Sequence, residues 1–375
     1  DAEKVDLWLM REMFGELKDG DAAEAIPVPR GCQRGTQGGE FYKTDGGGDW
    51  ARACSACEQA IQMHRHDGPP ERDAIVLKLE LAKIRVLLEA NQLSSVLNQI
   101  DGLLFSPHHA ANANVTVDGG KDGLHLSNTY GKFLPYAVEA AWRLGQWTRL
   151  EYICNQKIQN TYKTYDLDGQ YRVCVGRAML SLTKLAQDTS SFASIRANIE
   201  EARGAIMTSL SKTSHESYVR SYPFLLRLHV LREIEVAAAS LHLANNAPPC
   251  RPLDLRLLAA SAAPAGWNWL CRLDLTAPDV PSVGLVVHTR LALARIAGDA
   301  STEGDLLLTL GRVARKRGDL RAAEASLVRA RSVFAGCSGG PQAGEVQVQL
   351  AKLTYAQGDT GAALRMIEPE ERLFL

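Results

Sequence analysis

The sequence predicts an all-α fold, built as an α-solenoid of helical hairpins, and three observations lead there. Leu310, Gly318-Asp319 and Ala322-Ala323 recur as Leu350, Gly358-Asp359 and Ala362-Ala363, an offset of 40 residues. Each copy reads as an apolar helix, a turn whose Gly lets the chain reverse, and a second helix whose alanines allow close packing. Strand-like alternation is nearly absent, since the best candidate, Asn114-Val-Thr-Val117, is too short to build a sheet.

Upstream elements follow the same pattern more weakly. The half-unit GDWARACSACEQAIQ comes first, then LELAKIRVLLEANQLSSVLNQI with Asn91 at its turn, then PYAVEAAWRLGQWTRLEYI with Gly145 at its turn. In the last of these, the spacing of Ala141, Trp142, Leu144, Trp147 and Leu150 predicts packing across one hairpin. Segments rich in Gly, Pro, Asn and small residues, about 27–48, 107–128, 247–266 and 335–344, read as loops or disordered inserts. The expectation is one solenoid over 1–375, forming part of a larger polypeptide.

Composition narrows the function. Of 375 residues, 46% are hydrophobic, enough for a substantial core, and a formal net charge of −1 supplies no global attraction to nucleic acid or an anionic membrane. No run is long or apolar enough for a signal peptide or a membrane span, and the mostly scattered cysteines fit a reducing compartment.

Motifs that would carry chemistry are sparse. Asp118 to Gly123, DGGKDG, lacks phosphate-loop spacing and reads as plain loop. Cys54 and Cys57 have metal-like spacing, with His64 and His66 following, but without a matching second pair they read as small helix-borne thiols. His108-His109 reads as loop, His229 as a core or cap residue, and the sequon at Asn114 as spelling alone. No catalytic, cofactor-binding or metal-binding residue is assigned. The basic turn Arg315, Lys316, Arg317 and Arg321 is either the solvated end of a hairpin or a possible interaction surface for an acidic partner.

Several segments, taken in order, carry a resemblance to a known family: ACSACEQAIQ, NQLSSVLNQIDGL, YAVEAAWRLGQWTRLE, SYVRSYPFLLRLHVLREIE, WNWLCRLDLTAPDVPSVGLVVHTRLAL and GRVARKRGDLRAAEASLVRA. From about Leu7 to Ile367 the chain resembles the FAT domain region of the ATR-type phosphatidylinositol 3-kinase-related protein kinases. It departs in its longer inserts and in the helix HTRLALARIAG, which has fewer basic residues than the pattern. The resemblance implies a non-catalytic scaffold in a nuclear Ser/Thr protein kinase that signals DNA damage and replication stress. It also implies support for a kinase domain of the same protein beyond Leu375, an ATRIP-like partner protein and a homodimer of the complex. ATP and Mg are implied only for that kinase domain, and neither direct nucleic-acid binding nor a membrane is expected. The competing reading is a free-standing tetratricopeptide-type adaptor that binds peptides, whose units would be regular and near 34 residues long. An enzyme assembled around Cys57, His64 and His66 is the third reading.

Overall fold

In a computed structural model, the described residues are 48–66, 72–105, 131–157, 165–185, 192–213, 218–245, 273, 276, 280–336 and 341–367. They form thirteen α-helices and one π-helical turn, and no strand occurs among them. The helices are α1 (Gly48–His66), α2 (Arg72–Glu89), α3 (Leu93–Phe105), α4 (Leu134–Leu144) and α5 (Trp147–Tyr152). After a π-helical turn at Ile153–Lys157 come α6 (Leu167–Leu185), α7 (Phe192–Thr213), α8 (Tyr218–Asn245) and α9 (Val280–Ala297). The last four are α10 (Ala300–Lys316), α11 (Leu320–Gly336), α12 (Pro341–Ala356) and α13 (Thr360–Ile367).

Where the sequence predicts one solenoid, these residues fall into two compact units, the first ending at Ala90 and the second beginning at Asn91. In the first, α1 packs on α2 and buries Ala53, Cys57 and Ile61, with Lys83 paired to Glu58 at 2.8 Å. In the second, neighbouring helices pack in succession from α6 to α13, while α4 packs on α3, α6 and α9. This is how stacked hairpins bury an apolar face that one hairpin alone leaves wet.

The turns explain the helix boundaries. Gly145, Gly298, Gly318 and Gly358 all lie at positive φ, between 69° and 94°. In each case the N–H of the following residue donates to the carbonyl five residues earlier: Gln146 to Ala141, Asp299 to Ala294, Asp319 to Ala314 and Asp359 to Thr354. This is a left-handed C-cap that satisfies orphan carbonyls, and a side chain at that φ would strain it. Asn91, the residue type that best tolerates this region after glycine, takes φ 61°. At the three Gly-Asp turns the aspartate then caps the next helix, accepting from the backbone N–H of Thr302, Ala322 and Ala362. One residue thus ends a helix and the next starts another.

Close packing supplies the second ingredient. A Cβ at Gly176 of α6 would sit 2.1 Å from Val138 on α4, and one at Gly311 of α10 would sit 2.6 Å from Leu327 on α11. Ala323 and Leu327 are fully buried at that second contact, as the Ala-rich pattern of the 40-residue repeat predicts.

Two expectations change. The stretch 335–344 is mostly helical, because α11 runs through Gly336 and α12 begins at Pro341, a residue suited to a first helical turn. Across the Gly145 hairpin, Ala141, Trp142 and Leu150 are buried but Leu144 and Trp147 are only half-buried. There α5 is six residues long and passes into the π-helical turn. The predicted inserts 107–128 and 247–266 lie outside the described residues, as does 27–47, with Gly48 opening α1. His108, His109, the sequon at Asn114 and the 118–123 loop lie outside them too.

Candidate interaction surface and buried ionic joints

The basic turn divides. Lys316 and Arg321 are exposed, whereas Arg315 and Arg317 are half-buried. Arg315 reaches across to α12, its Nη2 lying 3.5 Å from Gln349 Oε1. One turn earlier Arg312, which the sequence does not single out, donates to Glu345 Oε1 at 2.6 Å. The four predicted residues therefore do not act as one outward-facing cluster. Part of this charge holds α10 to α12, and the exposed remainder is two side chains.

Trp142 is 1% exposed and has the largest side chain among the fully buried residues. Gly145 is the C-cap of α4, and the Arg295 guanidinium lies beside it, donating to the carbonyl oxygen of Leu144 at 3.2 Å. The turn at Gly145 is thus closed from the side of α9. Cys54 is half-buried and Cys57 fully buried on α1, where burial raises both thiols, that of Cys57 to about 11. A thiol in that state is a protonated packing group. His64 and His66 lie in the last turn of the same helix.

The strongest polar geometry lies where sequence reasoning had no purchase, in a series of buried and half-buried ion pairs that tie helix to helix. Glu139 on α4 pairs with Arg143 of its own helix and with Arg172 on α6. Arg172 also meets Asp168 at 2.8 Å, and Asp168 accepts from Arg227 on α8 at 2.6 Å. The guanidinium of Arg172 lies 4.6 Å from the Tyr136 ring and that of Arg227 4.9 Å from the Tyr171 ring, so each cation has an aromatic face as well as a carboxylate. Further along, Glu233 on α8 receives Arg290 of α9 through the Nε–Nη2 edge of its guanidinium, at 3.1 and 2.6 Å, and His229 lies 2.9 Å from it. The side chains of Glu233 and Arg290 are each 1% exposed. Burial pushes the Glu233 carboxyl up, but His229 and Arg290 outweigh it and hold it below the ordinary glutamate range. Next in order, Arg295 on α9 meets Glu303 on α10 at 2.8 Å.

His288 completes this layer. Its Nε2 accepts from Asn91 Nδ2 at 3.0 Å, which requires a neutral ring. Burial, with the nearby Arg143 and Arg295 cations, lowers its pKa to about 3. The Arg227-Leu228-His229 triplet and the helix carrying His288 and Arg290 both fall in segments quoted above for the resemblance. What those segments contribute here is inter-helix pairing. A single charge inside an apolar run, such as Glu139 in AVEAAW or Arg290 in VVHTRLAL, was the available signal. The partner could not be read, because it lies 57 residues away for Arg290 and 33 for Arg172.

This architecture defines an all-helical repeat protein whose charged core residues join neighbouring helices. Residues 134–372 match the FAT domain family, and the chain belongs to it. It is 21% identical over 231 residues to the serine/threonine-protein kinase ATR of Oryza sativa subsp. japonica, covering 61% of this chain and 7% of that one. With the serine/threonine-protein kinase ATR of Arabidopsis thaliana it shares 23% identity over 319 residues, covering 84% of this chain and 10% of that one. The chain therefore spans about a tenth or less of these relatives. Among the described residues no helix is long and apolar enough to cross a membrane.

Proposed function

We propose that this chain is the non-catalytic scaffold region of an ATR-like Ser/Thr protein kinase acting in nuclear DNA-damage and replication-stress checkpoint signalling. In this reading it supports a kinase domain of the same polypeptide, which binds ATP and Mg, and contributes to the assembly of a homodimeric complex with an ATRIP-like partner. The observation that carries it is the FAT match over residues 134–372, a span in which the buried arginines and carboxylates are engaged with one another across helix interfaces. Such side chains give rigidity between helices, the property a support for a catalytic domain requires. The reading of a free-standing tetratricopeptide adaptor gains less support, because the Gly-Asp turns at 298, 318 and 358 set a spacing of 20 residues per helix instead of 17.

The test is phosphotransfer by the parent polypeptide. Glu233→Gln, which removes a charge that pairs with Arg290 inside the solenoid, should lower its kinase activity while the 375-residue chain by itself transfers no phosphate to a protein substrate. Phosphotransfer by the chain alone, or a parent polypeptide that has no kinase domain, would reject the proposal.

A further inference from the structure

The 40-residue repeat identifies which surface of the last hairpin is built to be covered. Hairpin α10–α11 meets hairpin α12–α13 through three polar contacts: Arg312 to Glu345, Arg315 to Gln349, and Glu324 from Gln357. Moving one repeat along, positions 312, 315 and 324 become Lys352, Tyr355 and Leu364. The side chains that would face a following hairpin are thus a cation and two large apolar groups. Tyr355 is 66% exposed and Leu364 64%, and Ile367 on the same short helix is 58% exposed, whereas its counterpart Leu327 is fully buried. Val348 is likewise exposed where its counterpart Leu308 is buried. Of the large apolar side chains that the described residues leave exposed, more than half lie on α12 and α13, so this is a localised patch and not the scatter normal for a protein surface.

We infer that the face formed by Lys352, Tyr355, Leu364 and Ile367 is the stacking surface for one further helical hairpin of the same polypeptide, set in the frame that α12–α13 adopts on α10–α11. The argument rests on continuity with an interface already present. The preceding junction uses the positions equivalent to Lys352, Tyr355 and Leu364, and the apolar character gained at two of them suits a drier contact than the amide and guanidinium pairs it would follow. A hairpin fits better than an extended peptide, because the positions to be covered lie on two helices, one turn apart on each side of Gly358, as they do on each side of Gly318. The inference needs only the hairpin geometry and stands whether or not a kinase domain is attached.

Hydroxyl-radical footprinting of the full-length parent polypeptide beside the 375-residue chain tests it. Tyr355 should label fast in the chain and several-fold more slowly in the parent, with the half-exposed Tyr152 as an internal reference that labels alike in both. The slowing should persist on dilution, and a photo-crosslinker at Leu364 should capture the segment one repeat beyond Gln349 and Gln357. Tyr355→Lys combined with Leu364→Lys should leave the melting of the 375-residue chain unchanged and expose that captured segment to exchange in the parent. Equal labelling of Tyr355 in the two polypeptides overturns the inference. Protection that vanishes on dilution assigns the face to a second copy, and a crosslink to a separate partner assigns it there; either result also overturns it.

Discussion

From α4 to α9 the second unit joins its helices with buried charge, and from α10 to α13 it joins them with small residues and capped turns. In the first region Glu233 and Arg290 are both 1% exposed; in the second the comparable pair, Arg312 and Glu345, is about 40% exposed on each side. The difference is one of dielectric. A half-wet pair gains little over hydration, while a buried pair is held only because each charge would be far worse alone. Regular Gly-Asp turns can therefore set the geometry in the second region, with the Arg312–Glu345 pair as a half-exposed addition. The first region has a π-helical turn and a six-residue helix, and there Arg172 and Arg227 each meet a carboxylate on another helix.

That contrast can be broken most strongly at Glu233. Glu233→Ala leaves Arg290 buried without its carboxylate and should cost about 3–5 kcal/mol, read by urea unfolding. Combining Arg290→Met with Glu233→Leu should recover most of the loss, since an apolar pair of similar volume replaces both charges. If the double variant is no better than the single one, the pair does more than balance itself. Trp142→Ala should cost a similar 3–5 kcal/mol through the cavity left between α4 and its neighbours. A change within error would remove that ring from the core of the first region.

In the second region Gly318→Val should cost roughly 1–2 kcal/mol or more, because a β-branched side chain must enter the left-handed region at φ 80°. An unchanged melting temperature would mean that the α10–α11 turn relaxes elsewhere. His288 brings pH into the comparison. Its ring is held neutral in the folded state with a pKa of about 3, so below the ordinary histidine value of about 6.5 the unfolded chain takes up a proton that the folded chain does not. Stability should fall as the pH is lowered from about 6.5 towards 3, by up to about 1.4 kcal/mol per pH unit. His288→Gln, which keeps an acceptor for Asn91, should flatten the slope between about pH 6.5 and 5, above the carboxylate range. Arg143 and Arg295, the cations that face this ring, remain charged throughout. A slope the variant leaves unchanged would point to another titrating group.

The smallest effect should come from the basic turn. Replacing Lys316 and Arg321 by Gln should shift stability by less than about 1 kcal/mol, as exposed charges do. Arg315→Gln should cost more than either, because its guanidinium spans to Gln349; three equal losses would return the cluster to a uniform solvated face.

The sequence by itself determined what is local. The helical class and the turns at Asn91, Gly145, Gly318 and Gly358 follow from residues within a few positions of one another, and the 40-residue offset is that local pattern written twice. The left-handed backbone and the aspartate cap need no distant partner. The same logic holds at Gly298-Asp299, which stands outside the 40-residue repeat because the residues 40 positions on are Ser338-Gly339. Tertiary structure alone decided what the charges do. Arg315 turns inward and Lys316 outward, although they adjoin in sequence, because only one of them lies over α12. Glu139, Glu233 and Arg290 are buried because α6, α8 and α9 bring their counter-charges to them, and a carboxylate in an apolar run carries no mark of where its arginine will arrive.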